Sequence, residues 1–207
     1  MKATELSLFQ RFFESYKQYA RGKLRVWGSW LALIILAKFV HQNPTWDGIA
    51  IIILGAVIRF IASGFIDKEG RLSIGGPYSY CRNPLYLGSF LIAFGAAVSQ
   101  HNSILIALFC VLNFLIYYPL MLAEEDVLTV KFPKIYSDYV NDVPRFFPWK
   151  FWAWFQSKDF CKLDPRLNTP TFRWAKIKEN KGYEGFLTAA GVIAFLYAVA
   201  YYKLKQA

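Results

Sequence analysis

Histidine and cysteine are scarce in this 207-residue chain, with two of the first and three of the second. Cys81, Cys110 and Cys161 cannot all pair, their spacing is not that of a metal site, and two histidines make no cluster. The thiols are therefore expected to be reduced. No phosphate-cradling glycine loop and no serine elbow occurs, which removes the commonest nucleotide-binding and esterase motifs. Acidic residues are outnumbered 14 to 24, for a net charge of +10. Such an excess suits nucleic acid, but no nucleic-acid module is recognisable, so no nucleic-acid partner is expected. The opening residues are polar and no cleavage pattern follows Val40, so no signal peptide is expected either.

Apolar and aromatic residues dominate instead, at 56% and 19%. A soluble domain carries about 45–50% apolar residues. Crossing the hydrocarbon takes about 20 mostly apolar residues, and the backbone must satisfy its own hydrogen bonds there, so long apolar runs read as helices. Five runs qualify: 24–40, 48–66, 85–99, 104–123 and 185–202. The expected fold is an all-α polytopic integral membrane protein with about five transmembrane helices.

Twenty of the 24 basic residues lie before Trp27, between Asp67 and Asn83, or between Asp126 and Glu184. The connections around Pro44 and His101 hold no Lys or Arg. By the positive-inside bias, the amino terminus, the motif 76–88 and the region 124–184 face the cytoplasm. Anionic lipid headgroups are the natural counterions for this charge. Only Lys203 and Lys205, beyond the fifth run, break the pattern. The chain divides into an amphipathic amino-terminal segment (1–23), two spans (24–66), a core with a motif loop, a helical hairpin and a further helix (67–148), a basic aromatic linker (149–184) and a last span (185–207). Residues 149–155 suit an interfacial aromatic anchor. The remainder of the linker either connects or folds back as a lid, and connection is the simpler expectation.

The polar residues at the span ends are the candidates for chemistry. Asn83 followed by Pro84 is a helix start, because Asn caps free amides and Pro fits the first helical position. With Arg82 beside it, that helix terminus offers a seat for a carboxylate or phosphate, although on spacing alone a plain cap and a snorkelling arginine are the simpler expectation. Glu124 and Glu125 close the fourth run. If the helix stops there they oppose its dipole; if it continues through Asp126 to Phe132 they are ordinary residues of the next turn. Arg59 lies within the second run, where a charge is functional by default. Its candidate partners are the glutamates or an anionic substrate head. Lys38 reads as a snorkeller and His101 as a solvated turn residue.

Taken in order, Gly76-Pro77-Tyr78, Arg82-Asn83-Pro84-Leu85-Tyr86-Leu87-Gly88, Glu124-Glu125-Asp126-Val127-Leu128, Tyr136-Ser137-Asp138-Tyr139 and Val143-Pro144 resemble the isoprenylcysteine carboxyl methyltransferase and phospholipid methyltransferase superfamily, over roughly residues 66–148. The resemblance implies an integral membrane methyltransferase using S-adenosylmethionine, with a lateral opening for a membrane lipid or lipidated acceptor. Carried over position by position, it implies that Tyr78, Arg82, Asn83, Tyr86, Leu87 and Glu124 line the cofactor pocket and that Tyr136 and Tyr139 close it. Glu125 and Arg145 become candidates for the reacting end, and Arg59 or Arg145 for pairing with an anionic part of the acceptor.

Two departures stand out. Asn83 occupies a position where the family most often has His, which removes acid–base chemistry there but keeps a hydrogen-bonding group. The arginine that carboxyl methyltransferases of the isoprenylcysteine type carry before the glutamates is missing from the run 117–123, which weighs against a prenylcysteine substrate. Carboxyl O-methylation and amine N-methylation both remain open. So do two other readings of the same fold, a non-catalytic lipid-binding scaffold and a sterol-type reductase using a nicotinamide cofactor.

Overall fold

The computed structural model describes residues 25–67, 71–148 and 171–206. The amphipathic segment 1–23, the aromatic run 149–155 and Cys161 lie outside the described residues. All described regular structure is helical: α1 (Arg25–Phe39), α2 (Trp46–Ser63), a 3-10 turn (Gly76–Ser79), α3 (Pro84–Val98), α4 (Ser103–Lys131), α5 (Pro133–Asp142), α6 (Trp174–Glu179) and α7 (Glu184–Gln206). The all-helical expectation holds for this part of the chain.

Three helices, α2, α4 and α7, are long and apolar enough to cross a membrane. Helices α1 and α3 are apolar but have 15 residues each. At about 1.5 Å per residue such a helix spans about 22 Å, less than the hydrocarbon thickness of about 30 Å. Helices α1, α3 and α7 start, and α2 and α4 finish, at one end of the bundle, here called the motif end. At the opposite end the loops knit together: His41 N–H donates to Gln100 Oε1 at 3.2 Å and Lys203 Nζ to the Lys38 carbonyl at 2.9 Å.

Glycine lets α2 and α3 approach backbone to backbone. A Cβ on Gly55 would sit 2.5 Å from the Gly88 carbonyl oxygen, and one on Gly88 would sit 2.6 Å from the Gly55 oxygen. One face of each helix is therefore a flat groove into which the other fits. Side chains from α1, α2, α3, α4 and α7, among them Leu36, Ile52, Ile92, Phe109 and Leu196, form a common apolar core around this pair. A second, smaller core of Leu72, Ile74, Tyr136, Tyr139 and Val143 lies at the motif end.

Helix α4 runs 29 residues without stopping at the glutamates. Of the two readings of Glu124 and Glu125, the continuing helix is the one found, and no opposition to the dipole arises. At the start of α3, Pro84 occupies the first turn as expected, but Asn83 makes no side-chain cap. The capping role is corrected: its amide Nδ2 instead donates to the Arg145 carbonyl at 3.0 Å. The described end of the linker, residues 171–184, packs back against α2. Buried Lys176 of α6 pairs with Asp67 at 2.9 Å, and Asn180 Nδ2 donates to the carbonyls of Ser63 and Ile66. These contacts pin the approach to α7 onto the foot of α2.

Candidate functional site

The motif loop is held from two sides. Gly76 has φ +57°, and a Cβ there would lie 2.4 Å from the Phe65 ring, so glycine is needed for both conformation and space. Tyr139 Oη donates to the Tyr78 carbonyl at 2.6 Å. Arg82 N–H donates to the Pro144 carbonyl at 2.9 Å. Helix α5 and the segment after it thus brace the start of α3.

Around Glu125 the charges are paired. Arg145 binds its carboxylate in a fork, Nε to Oε1 at 2.8 Å and Nη2 to Oε2 at 2.9 Å. Arg82 Nη1 approaches Oε2 at 3.2 Å. Arg145 also donates to Tyr118 Oη and lies over that ring. This grip on Glu125 raises the Arg145 pKa above its already high ordinary value.

Burial pushes the Tyr136, Tyr139 and Tyr78 hydroxyls upward, with Glu125 adding to the effect at Tyr136 and Glu124 at Tyr78. Burial likewise pushes the Cys81 thiol up to about 12. All four groups are neutral near pH 7.

A cavity of about 550 Å³ opens beside this cluster. Tyr78, Arg82, Asn83, Tyr86 and Glu124 line its motif end, with Tyr86 Oη donating to Glu124 Oε1 at 2.6 Å. The Tyr86 and Tyr117 rings meet there with centroids 5.4 Å apart. Farther in, the wall passes Arg59 and Ser89 and becomes apolar at Leu36, Ile92, Ala96 and Phe109. From Pro84 to Ala96 the lining advances about 18 Å along α3, at about 1.5 Å per residue.

Of the predicted cofactor residues, five lie on this cavity; Leu87, Tyr136 and Tyr139 do not. Leu87 is buried in helix packing, while Tyr136 and Tyr139 stand behind the motif loop. Among the residues predicted to react, Arg59 lines the cavity, whereas Glu125 and Arg145 hold each other beside it. Sequence reasoning missed the walls supplied by α1 and by Glu184, Thr188 and Val192 of α7. It also missed Phe109, Asn113 and Tyr117, although these positions precede Glu124 in steps of four, four and seven residues, whole turns that mark one helix face.

The described residues thus form an all-helical bundle with three helices long and apolar enough to cross a membrane and a cavity whose lining turns from polar to apolar. Residues 49–136 match the family model for phospholipid methyltransferase, which bears out the superfamily resemblance of the motifs. Two curated relatives are similar to the chain. One is the nickel-cobalt-cadmium resistance protein NccN of Alcaligenes xylosoxydans xylosoxydans, 29% identical over 62% of this chain and 65% of the relative. The other is the cobalt-zinc-cadmium resistance protein CzcN of Cupriavidus metallidurans, 28% identical over 62% of this chain and 64% of the relative. The chain thus spans slightly less than two thirds of the length of either. No solved structure gives a significant match.

Proposed function

We propose that this protein is an S-adenosylmethionine-dependent methyltransferase that acts at the membrane on a lipid or lipidated acceptor. The observation that carries the reading is the single cavity that joins Arg82 and Glu124 to an apolar interior. The family match supports methyl transfer as the reaction class. The concentration of basic residues in the motif-end segments supports a cytoplasmic position for that end, with α1 and α3 embedded beside the three long helices.

The residues at the motif end fit the donor. S-adenosylmethionine supplies, when bound, an electrophilic methyl group on a sulfonium. Glu124 and the faces of Tyr86 and Tyr117 attract a cationic centre, and Glu124 accepts hydrogen bonds from hydroxyls or amines. Arg82 and Asn83 suit a carboxylate and a polar base edge. The cavity lies within the range of about 300–1,000 Å³ typical of sites for ligands of this size. Of the adjacent pair, Glu124 faces the cavity, where it holds the donor, whereas Glu125 does not line it. Glu125 and Arg145 are positioning residues, because their mutual fork ties α4 to the segment after α5, whose Pro144 and Arg145 carbonyls hold the start of α3. Holding nucleophile and methyl group in line, away from water, is the protein's main contribution, and no covalent enzyme intermediate is needed.

The test is to incubate membranes containing the protein with methyl-labelled S-adenosylmethionine and to extract the lipids. Label in the extract supports the reading; base-labile label identifies an ester and base-stable label an amine. Failure of the purified protein to bind S-adenosylmethionine in calorimetric titration removes it.

A further inference from the structure

Arg59 is a charged residue inside an apolar helix, and its surroundings are built to hold it. Its stem runs in a slot between two glycines: a Cβ on Gly88 would lie 2.6 Å from Arg59 Cγ, and one on Gly185 would lie 3.2 Å from Arg59 Cβ. The guanidinium donates to neutral acceptors, Ser89 Oγ and the Leu85 carbonyl. Its Nε is buried with no hydrogen-bond partner, as are Nε and Nη1 of Arg82, so what distinguishes Arg59 is the lack of a carboxylate. The contrast with neighbouring cations is informative. Arg82 and Arg145 share Glu125, and Arg71 and Lys176 share Asp67, whereas among the described residues no carboxylate stands within ion-pair distance of Arg59. Glu184, on the same cavity, has its carboxylate 3.8 Å from Lys181 instead.

A cation in such a position costs free energy unless something compensates it, and most of the cavity wall beyond it is apolar. Ser89 and Arg59 mark the boundary: Tyr86 and Glu124 lie on the motif side, and Ile92, Ala93 and Ala96 on the other. An anion bound at Arg59 with an apolar chain running inward would satisfy both halves.

We propose that Arg59 is the anion seat of the acceptor, and that the acceptor is an amphiphile carrying a phosphate or carboxylate at the polar boundary with its tail along α3 and α7. This rests on the methyltransferase reading for the acceptor's role, but the seat itself is measurable without turnover. The same charge could be offered to the carboxylate of the methyl donor, and binding assays separate the two sources. The α7 side of the slot, Gly185, lies beyond the residues matched by the family model, so the seat is completed by the carboxyl-terminal extension.

The experiment uses the full chain in neutral detergent micelles, with radiolabelled lysophosphatidic acid and monoacylglycerol of the same acyl chain as probes. Wild type is expected to bind the phosphate-bearing probe at least tenfold more tightly. Arg59→Gln should bring the two within about twofold, Arg59→Lys should keep part of the preference, and S-adenosylmethionine affinity should change less than about twofold in both variants. A wild type that does not discriminate overturns the proposal without recourse to any variant. A tenfold loss of S-adenosylmethionine affinity in Arg59→Gln with lipid preference intact assigns the seat to the donor and also overturns it. A preference that depends on Arg59 in a protein that binds no S-adenosylmethionine supports the seat while removing the methyltransferase reading.

Discussion

Replacing Glu125 by alanine separates a structural carboxylate from a reacting one. The substitution strands two guanidiniums at once: the Arg82 side chain is 9% exposed and that of Arg145 is 32% exposed, against 12% for Glu125 itself. Removing one member of a buried ion pair costs about 3–5 kcal/mol, and the partial exposure of Arg145 with its bond to Tyr118 places the expected loss in the lower half of that range. Glu125→Gln keeps an acceptor oxygen but loses the charge, so it should cost less, about 1.5–3 kcal/mol. Arg145→Met combined with Glu125→Ala should be less damaging than the sum of the two, by about 1–3 kcal/mol, because the second substitution removes a charge the first has stranded. Denaturant unfolding in micelles followed by circular dichroism reads these values, with S-adenosylmethionine affinity measured in parallel. A Glu125→Ala protein of nearly unchanged stability that has lost methyl transfer would refute the positioning role and put this carboxylate at the reacting end.

Other outcomes follow from the same contacts. Glu124→Gln and Arg82→Ala should each weaken S-adenosylmethionine binding by about 1.5–3 kcal/mol in calorimetric titration, the scale of hydrogen bonds to charged groups, and unchanged affinity in both would mean that the donor binds elsewhere. Gly88→Ala should disrupt the bundle, since its Cβ would meet both the Gly55 carbonyl and Arg59; native-like thermal unfolding of that variant would contradict the close approach of α2 and α3. Cys81, whose thiol pKa rises from 9.0 to about 12, should resist maleimide at pH 8 in the folded protein and react once it is unfolded. The sign of the linkage is set by that shift: from about pH 9 to 12 the unfolded chain has lost a proton the native state retains, so Cys81 alone lowers stability by up to about 1.4 kcal/mol per pH unit as pH rises through this window. Alkaline unfolding with no such contribution, judged against Cys81→Ala, would contradict the burial.

Local signals in the sequence were legible where one chain segment decides the outcome. Pro84 at the first helical position marks the start of α3, and the apolar runs mark the helices, with the ends of α4 and α7 lying beyond the expected spans. The order of the family motifs likewise brought Tyr78, Arg82, Asn83, Tyr86 and Glu124 to one cavity. Long-range partners were not legible. Asn83 gives its amide to a carbonyl 62 residues away and not to its own helix, and Lys176 meets Asp67 across more than a hundred residues. Which of two adjacent glutamates faces the cavity depends on how α4 is rotated, and adjacent helical residues point about 100° apart. The role of α7 was hidden for the same reason: its contribution appears only when Gly185 packs on Arg59.

The central claim is that donor and acceptor meet in one cavity, the donor at Glu124 and the acceptor's tail beyond Arg59. Ala93 lines the apolar part, away from the proposed donor end, and Ala93→Phe would fill it. Methyl transfer from labelled S-adenosylmethionine into extracted lipid, compared between wild type and Ala93→Phe with donor affinity measured on each, tests this most directly. The account predicts equal donor affinity and at least a tenfold fall in labelled lipid; equal labelling by both proteins would contradict it.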